Sequence, residues 1–323
     1  MLGGGMMVVV FLALRPAHWN GWISTAVCLS WTAVDLLCFG TGYNPAISRD
    51  LYYPRTPAIE WLQENGALSR IFGPGTMLTP NSAEVFGLND VRGYDYMTVR
   101  RYEELITGQA GNFLFYQNPM TFPKTLPLLN VKYILAEKAI PLNPAFFELV
   151  YSKDIFIYRF KQCLDRALLV FDYQVEPDPA TILARVSSPG FDPRQVLLLE
   201  DQPPPAQMAA SDRPAGTNAD AAVHILSYEP DDVRIDAALP RPGFLLLLDT
   251  WFPGWSATVN GVPTPIHRAD YNFRAVSLPA GKSTVNFSYR PESLRIGLYL
   301  CGAGILAIVA ACFLPRKWKS IRE

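Results

Sequence analysis

Cysteine, histidine and charge are all scarce in this chain, and each scarcity removes a class of chemistry. Of 323 residues, five are Cys and three are His. Cys28, Cys38, Cys301 and Cys312 lie in or beside long apolar runs, so Cys163 stands alone in the polar middle and no disulfide can form there. There is no CxxC pair, and His18, His224 and His267 are far apart in sequence, so no metal is expected. Charged residues make up 18% of the chain and the formal net charge is −1, which leaves a nucleic-acid partner without an electrostatic basis. His267, Arg268 and Asp270 read as a charge cluster at a loop tip, because no serine or cysteine motif accompanies them to make a hydrolase triad.

Apolar residues, by contrast, are abundant at 50%, high for a wholly soluble protein. The run Ile296 to Leu314, IGLYLCGAGILAIVAACFL, is free of charge. As a helix it would extend roughly 28 Å, about the thickness of one hydrocarbon core. Trp22 to Gly40 is a second candidate span, interrupted by Asp35. The apolar stretch before it, Leu2 to Leu14, is too short to cross at full thickness and lacks the basic start and small-residue cleavage site of a signal peptide. The chain therefore reads as beginning inside a helix, as the C-terminal portion of a longer membrane protein or as a gene model that starts late.

Positive charges flanking spans are retained on the cytoplasmic side. The tail carries Arg316, Lys317, Lys319 and Arg322, and the turn before the second apolar segment carries Arg15, against Arg290 and Arg295 at the other end of the last span. The expected arrangement places transmembrane helices in 1–40, the first truncated, and a last span at 294–315 with a cytoplasmic basic tail at 316–323. An extracytoplasmic α+β domain would occupy 41–165 and an extracytoplasmic β-sandwich 166–293. The lipid bilayer is then the first partner.

Within the outer block, Thr56 is placed to cap a helix that starts at Pro57 and ends at Asn65-Gly66. A strand at Arg70 to Phe72, a helix near Thr98 to Ile106, a strand at Val131 to Glu137 and a hairpin over Phe146 to Phe160 follow. From Ala167 the pattern changes to short strands (ALLVF, VLLLE, AVHILS, DVRIDAAL, FLLLLD, SATV, FRAVSL, STVNFSYR), which predicts an antiparallel, jelly-roll-like sandwich. Residues 201–220, rich in Pro and Ala, form a mobile loop. Asn260-Gly261 between SATV and VPTPI signals a two-residue hairpin, and Pro263 and Pro265 place the returning strand at an edge.

The order of motifs in FLLLLDTWFPGWSATVNGVPTPIHRADYNFRAVSLPAGKSTVNFSYRPESLRIGL resembles the C-terminal signature of the bacterial YfhO-like membrane proteins. The shared features are an aromatic-Pro-Gly-Trp turn, a V-D/N-G hairpin, an FRAV strand, a PAG turn and a Y-R-P exit before the final helix. Upstream, DLLCFGTGYNP, NSAEVFGLNDVRGYDYM, LLNVKYIL and the order FELVY, IYRF, RALLV continue it. That family is similar to the GT-C glycosyltransferases, many-span enzymes that take a sugar from a polyprenyl-phosphate donor and transfer it on the outer face. The resemblance implies that donor and a polyprenyl-linked sugar or envelope polymer as partners, beside the remaining N-terminal transmembrane portion. It implies no other cofactor. The family's catalytic carboxylate, in the first outer loop, has no counterpart here, so no catalytic residue is assigned. The implied role is the accessory outer part of such an enzyme. The alternative is a non-catalytic membrane-anchored carbohydrate-binding or envelope-assembly module.

Three sets of residues carry the candidate chemistry, each with a plainer reading beside it. Asn81, Asp90, Arg92, Tyr94, Asp95 and Arg100 could hold phosphate and sugar hydroxyls, or Arg92 and Asp95 could pair within a loop while Arg100, Arg101, Glu103 and Glu104 form an ordinary solvated helix face. Asp35 could line a cavity for the lipid carrier or reach the headgroups. Trp251 and Trp255 could stack pyranose faces, with Asp249, Asn260 or Asp270 binding hydroxyls, or could close the core of the sandwich.

Overall fold

The computed structural model describes residues 21–43, 47–74, 77–79, 81–93, 99–107, 125–204 and 221–313. The short apolar segment at 2–14, the basic tail and most of the 201–220 loop lie outside them. The chain divides into two compact units, Met1–Arg55 and Thr56–Glu323.

The first unit holds α1 (Gly21–Tyr43) and the one-turn α2 (Arg49–Tyr52). Leu29, Leu36, Leu37 and Phe39 are exposed, so apolar side chains lie on the outside of α1. The hydroxyls of Thr25, Thr32 and Thr41 donate to the carbonyls of Gly21, Cys28 and Leu37, four residues back, which satisfies them without water. By length and composition Gly21–Thr41 is one of two helical stretches, among the described residues, able to cross a membrane.

The second unit opens with α3 (Pro57–Gly66). Thr56 caps it by accepting from the Ile59 amide, Pro57 takes the first position where no amide hydrogen bond is needed, and Ala67 at φ 44° ends it. The chain then forms β1 (Arg70–Phe72), a 3₁₀ turn at Ser82–Phe86, β2 (Asn89–Asp90), α4 (Arg100–Thr107), β3 (Val131–Ala136), β4 (Phe147–Ser152) and β5 (Phe156–Phe160). These five strands make one sheet in the order β2-β1-β3-β5-β4, parallel around β1 and antiparallel from β3 onward. β3 alternates from Tyr133 onward, after an irregularity in its pairing with β1. Tyr133 and Leu135 pack on α3 through Ile59 and Leu62, while Ile134 and Ala136 face the opposite side.

That opposite side meets a second sheet. The chain continues through β6 (Ala167–Val170), β7 (Tyr173–Val175), α5 (Pro179–Val186), β8 (Leu197–Leu199), β9 (Ala222–Tyr228), β10 (Asp232–Leu239), β11 (Gly243–Thr250), β12 (Trp255–Val259), β13 (Val262–Thr264), β14 (His267–Ala269), β15 (Phe273–Leu278) and β16 (Gly281–Tyr289). They form a six-stranded sheet, β6-β11-β15-β14-β8-β7, and a five-stranded one, β13-β12-β16-β10-β9. The six-stranded sheet lies between the other two. Phe244, Leu246 and Leu248 of β11 share a core with Ile134, Tyr158 and Phe160, whereas Leu245 and Leu247 share one with Ile235, Val259, Val285 and Phe287. Burial on both faces is why FLLLL shows no polar alternation. Each such leucine contributes about 2 kcal/mol of apolar burial.

One pairing departs from the expected antiparallel pattern. β7 and β8 run parallel, joined by a crossover containing α5, whose cap Asp178 accepts from the Ala180 and Thr181 amides. The hairpin at Asn260-Gly261 has both residues at positive φ, 53° and 80°, as a type I′ turn requires, and Pro263 lies in the edge strand β13. β16 passes through Arg290 and Pro291 directly into α6 (Glu292–Phe313), the second candidate span. Gly254 fits this junction: at φ +106° its position leaves a Cβ only 2.9 Å from Tyr289 and 3.0 Å from Pro291, and its carbonyl accepts from the Arg290 amide.

Candidate functional site

Four strand segments that read as apolar each carry one charged residue at or beside an end: Arg70 before Ile71-Phe72, Arg166 before Ala167-Leu168, Asp249 after Leu248, and Arg274 after Phe273. The fold brings these four together. Asp249 Oδ1 accepts from Arg70 Nη2 at 2.8 Å and from Arg166 Nε at 3.0 Å, and Oδ2 pairs with Arg274 Nη2 at 3.1 Å and accepts from the Tyr228 hydroxyl at 2.9 Å. Arg166 also donates to the Tyr228 hydroxyl and lies over its ring. Burial alone would raise the Asp249 carboxyl, but Arg166, Arg70 and Arg274 outweigh it and hold its pKa below the usual carboxylate range.

Charge in this cluster does not balance. Three buried guanidiniums face one carboxylate, and carbonyls of Leu129 and Leu248 on Arg70 and of Leu68 on Arg166 supply only partial compensation. Arg274 Nε and Nη1 are buried without a hydrogen-bond partner, and its guanidinium carbon lies 3.8 Å from the centre of the Trp255 ring. Desolvation lowers the Arg274 pKa. A second network lies along β8, β14 and α4: Glu200 pairs with Arg101 and Arg268, and Arg268 stands 3.9 Å over the Trp251 ring.

The WFPGW turn thus uses both its indoles internally, one under Arg268 and the other between Arg274 and Tyr289. It is also where the sheets meet the last helix. Residues 252–301 match the family model of the bacterial membrane protein YfhO. Over that segment the chain is similar to this bacterial membrane protein family. No curated protein and no solved structure matches it. The YfhO segment covers β12 to β16 and the start of α6, so it supplies Trp255 and Arg274 to the cluster, while Arg70, Arg166 and Asp249 lie upstream of it.

The polar residues singled out from sequence find these places where they are described. Asp90 and Arg92 form a buried pair at 2.8 Å, their side chains 4% and 1% exposed. Asn81 sits at φ 70° before the 3₁₀ turn. Arg100 is solvent-facing and donates from Nε to the buried Glu104, which also accepts from the Tyr271 hydroxyl. Tyr94 and Asp95 lie outside the described residues. Asp35 is on the exposed surface of α1. His267, Arg268 and Asp270 are not at a loop tip: they belong to β14 and the turn after it, and Asp270 is fully buried, its Oδ1 accepting from the Leu198 amide. That burial raises its pKa to about 8. Among the described residues no group of His, Cys, Asp or Glu is placed to hold a metal ion.

A cavity of about 660 Å³ opens beside Arg166, between the first sheet and β9. Its wall includes Asn130, Lys132, Arg159, Lys161, Cys163 and Asp165. Burial pushes the Cys163 thiol up to about 12, so it is not a nucleophile there. Sequence reasoning missed both cavity and cluster, although lone charges bordering apolar strands were a visible signal.

Proposed function

We propose that this chain is the outer, accessory part of a YfhO-like membrane glycosyltransferase system. Its stacked sheets, a jelly-roll-like sandwich with an α+β layer, stand on the extracytoplasmic face of the bacterial cytoplasmic membrane, and its C-terminus is cytoplasmic. There it assists transfer of a sugar from a polyprenyl-phosphate donor to a cell-envelope acceptor. The observation that carries this reading is the YfhO match across the junction of β16 with α6, because that junction fixes a folded polar unit at one end of an apolar helix. No residue of the chain is assigned a catalytic step. Photo-crosslinking in membranes with a photoreactive polyprenyl-phosphate sugar tests it. Labelling of the chain that unlabelled donor competes away is expected, and undiminished labelling of an unrelated membrane protein with none on this chain counts against it.

A further inference from the structure

The turn at 251–254 is packed against the base of α6. At Gly254 a Cβ would lie 2.9 Å from Tyr289 and 3.0 Å from Pro291, and the Gly254 carbonyl accepts from the Arg290 amide, so the turn is fixed to the residues that lead into the helix. The uncharged part of α6 begins at Ile296, five residues after Pro291. At 1.5 Å per residue Pro291 lies about 7.5 Å above that run, and the headgroup layer on each side of a hydrocarbon core is about 5–8 Å deep. An upright α6 therefore carries the turn at headgroup level. Phe252 is 45% exposed there, Pro253 is exposed beside it, and neither belongs to a core of the sheets. The indoles on either side are held, Trp251 under Arg268 and Trp255 against Arg274, so the phenyl ring stands on a braced turn.

Charge at the same end has both signs. Arg290 is exposed and no carboxylate among the described residues pairs with its guanidinium, whereas Arg295 pairs with Glu292. The turn between β9 and β10 brings the exposed Glu229 and Asp231 to this end, because the Tyr289 amide donates to the Asp231 carbonyl. A surface with a free guanidinium and nearby carboxylates complements a headgroup that carries both a phosphate and an ammonium. We infer that the 251–254 turn is a second membrane contact: Phe252 and Pro253 enter the interfacial layer beside α6, Arg290 meets lipid phosphate, and Glu229 and Asp231 meet the ammonium of an aminophospholipid. Apolar side chains of interfacial segments bury about 5–10 Å into the boundary of headgroups and acyl chains, a depth the turn reaches from its place on α6. A folded unit joined to one helix is free to swing about the joint, and a contact beside the helix fixes its tilt. The inference rests on α6 spanning the bilayer and is independent of the transfer role.

The test places photoreactive benzoylphenylalanine at position 252 of the full chain, reconstituted in vesicles of equal parts phosphatidylethanolamine and phosphatidylglycerol, with position 262 as the control. Val262 is 63% exposed and pairs with Val259, which lies about 13 Å along β12 from Trp255 and the junction. Irradiation is expected to give at least tenfold more lipid adduct from 252 than from 262, with phosphatidylethanolamine the main adduct by mass. Equal yields at the two positions, or adducts of 252 with protein alone, overturn the contact, and a majority of phosphatidylglycerol adducts overturns the assignment to an aminophospholipid. Phe252→Ser is expected to leave the melting temperature in detergent unchanged. In the same vesicles it is expected to change, at least twofold, the energy transfer from a dye attached through Val262→Cys to headgroup-labelled lipid. Unchanged transfer overturns the role of the turn in fixing the tilt, and a lowered melting temperature overturns the assignment of Phe252 to lipid by making it a packing residue.

Discussion

Arg274 places its guanidinium carbon 3.8 Å from the centre of the Trp255 ring while its Nη2 reaches Asp249 at 3.1 Å. The indole is therefore part of a stack running from the carboxylate through the guanidinium, with Tyr289 5.3 Å away from Trp255 beyond it. Trp255→Ala removes the cover over a buried cation as well as apolar contact. A loss of about 3 kcal/mol in unfolding free energy is expected for the full chain in detergent, read by denaturant unfolding. An unchanged stability with weakened saccharide binding would make Trp255 a stacking platform instead.

Asp249 is the single carboxylate on three buried guanidiniums, so Asp249→Asn leaves their charge uncompensated. The expected cost is about 3–5 kcal/mol, enough to prevent accumulation of a folded chain. Replacing Arg274 by Met in the same chain removes one of the three charges, and the Asp249→Asn cost measured in that background should shrink. Strict additivity of the two substitutions would show that the residues do not act as one cluster.

Asp249 and Asp270, both buried, pull stability in opposite directions with pH. Asp270 has its folded pKa raised to about 8 by burial, against an ordinary value of 3.8. Between these values the folded chain keeps a proton that the unfolded chain has released, so stability falls as pH rises from about 4 towards 8. Asp249, held below the ordinary range by its arginines, contributes stability that is present above pH 4 and lost as pH falls through its folded pKa. Asp270→Asn retains the acceptor for the Leu198 amide and should flatten the upper limb alone. Denaturant unfolding at a series of pH values reads both limbs, and a wild-type stability that rises between pH 5 and 8 would contradict the assignment for Asp270.

Much of this architecture was legible in the sequence because it depends on local signals. Thr56-Pro57 marked a helix start, Asn260-Gly261 a type I′ turn and Pro263 an edge strand, and each works within a few residues of itself. The β7-α5-β8 crossover was equally marked, by Asp178-Pro179 at a cap and first position, yet the surrounding strands masked it as one more meander. The arginine cluster was not legible as a site. Arg70, Arg166, Asp249 and Arg274 are as much as 204 residues apart in number, and only the stacking of three sheets makes them neighbours. Within the polar group of Asn81 to Arg100, Asp90 and Arg92 satisfy each other inside the fold and Arg100 turns to Glu104, local pairings that the sequence spacing alone does not distinguish from a ligand site.

Sidedness has its own check. Val262, 63% exposed at the β12–β13 hairpin, is a position where a cysteine would react freely. Cys163, its thiol pushed up to about 12, stays protonated and unreactive at neutral pH, and Cys28, Cys38, Cys301 and Cys312 lie in the apolar helices. Val262→Cys in intact spheroplasts is expected to be labelled by a membrane-impermeant maleimide while the wild-type chain is not. Labelling only after lysis would place the sheets in the cytoplasm.

The transfer role is tested most directly by incorporation of radiolabelled sugar from a polyprenyl-phosphate donor into envelope polymer, in cells lacking this chain and in the same cells with it restored. Incorporation should fall at least tenfold on deletion and return with the wild-type chain. Incorporation at the wild-type level without the chain would contradict the account.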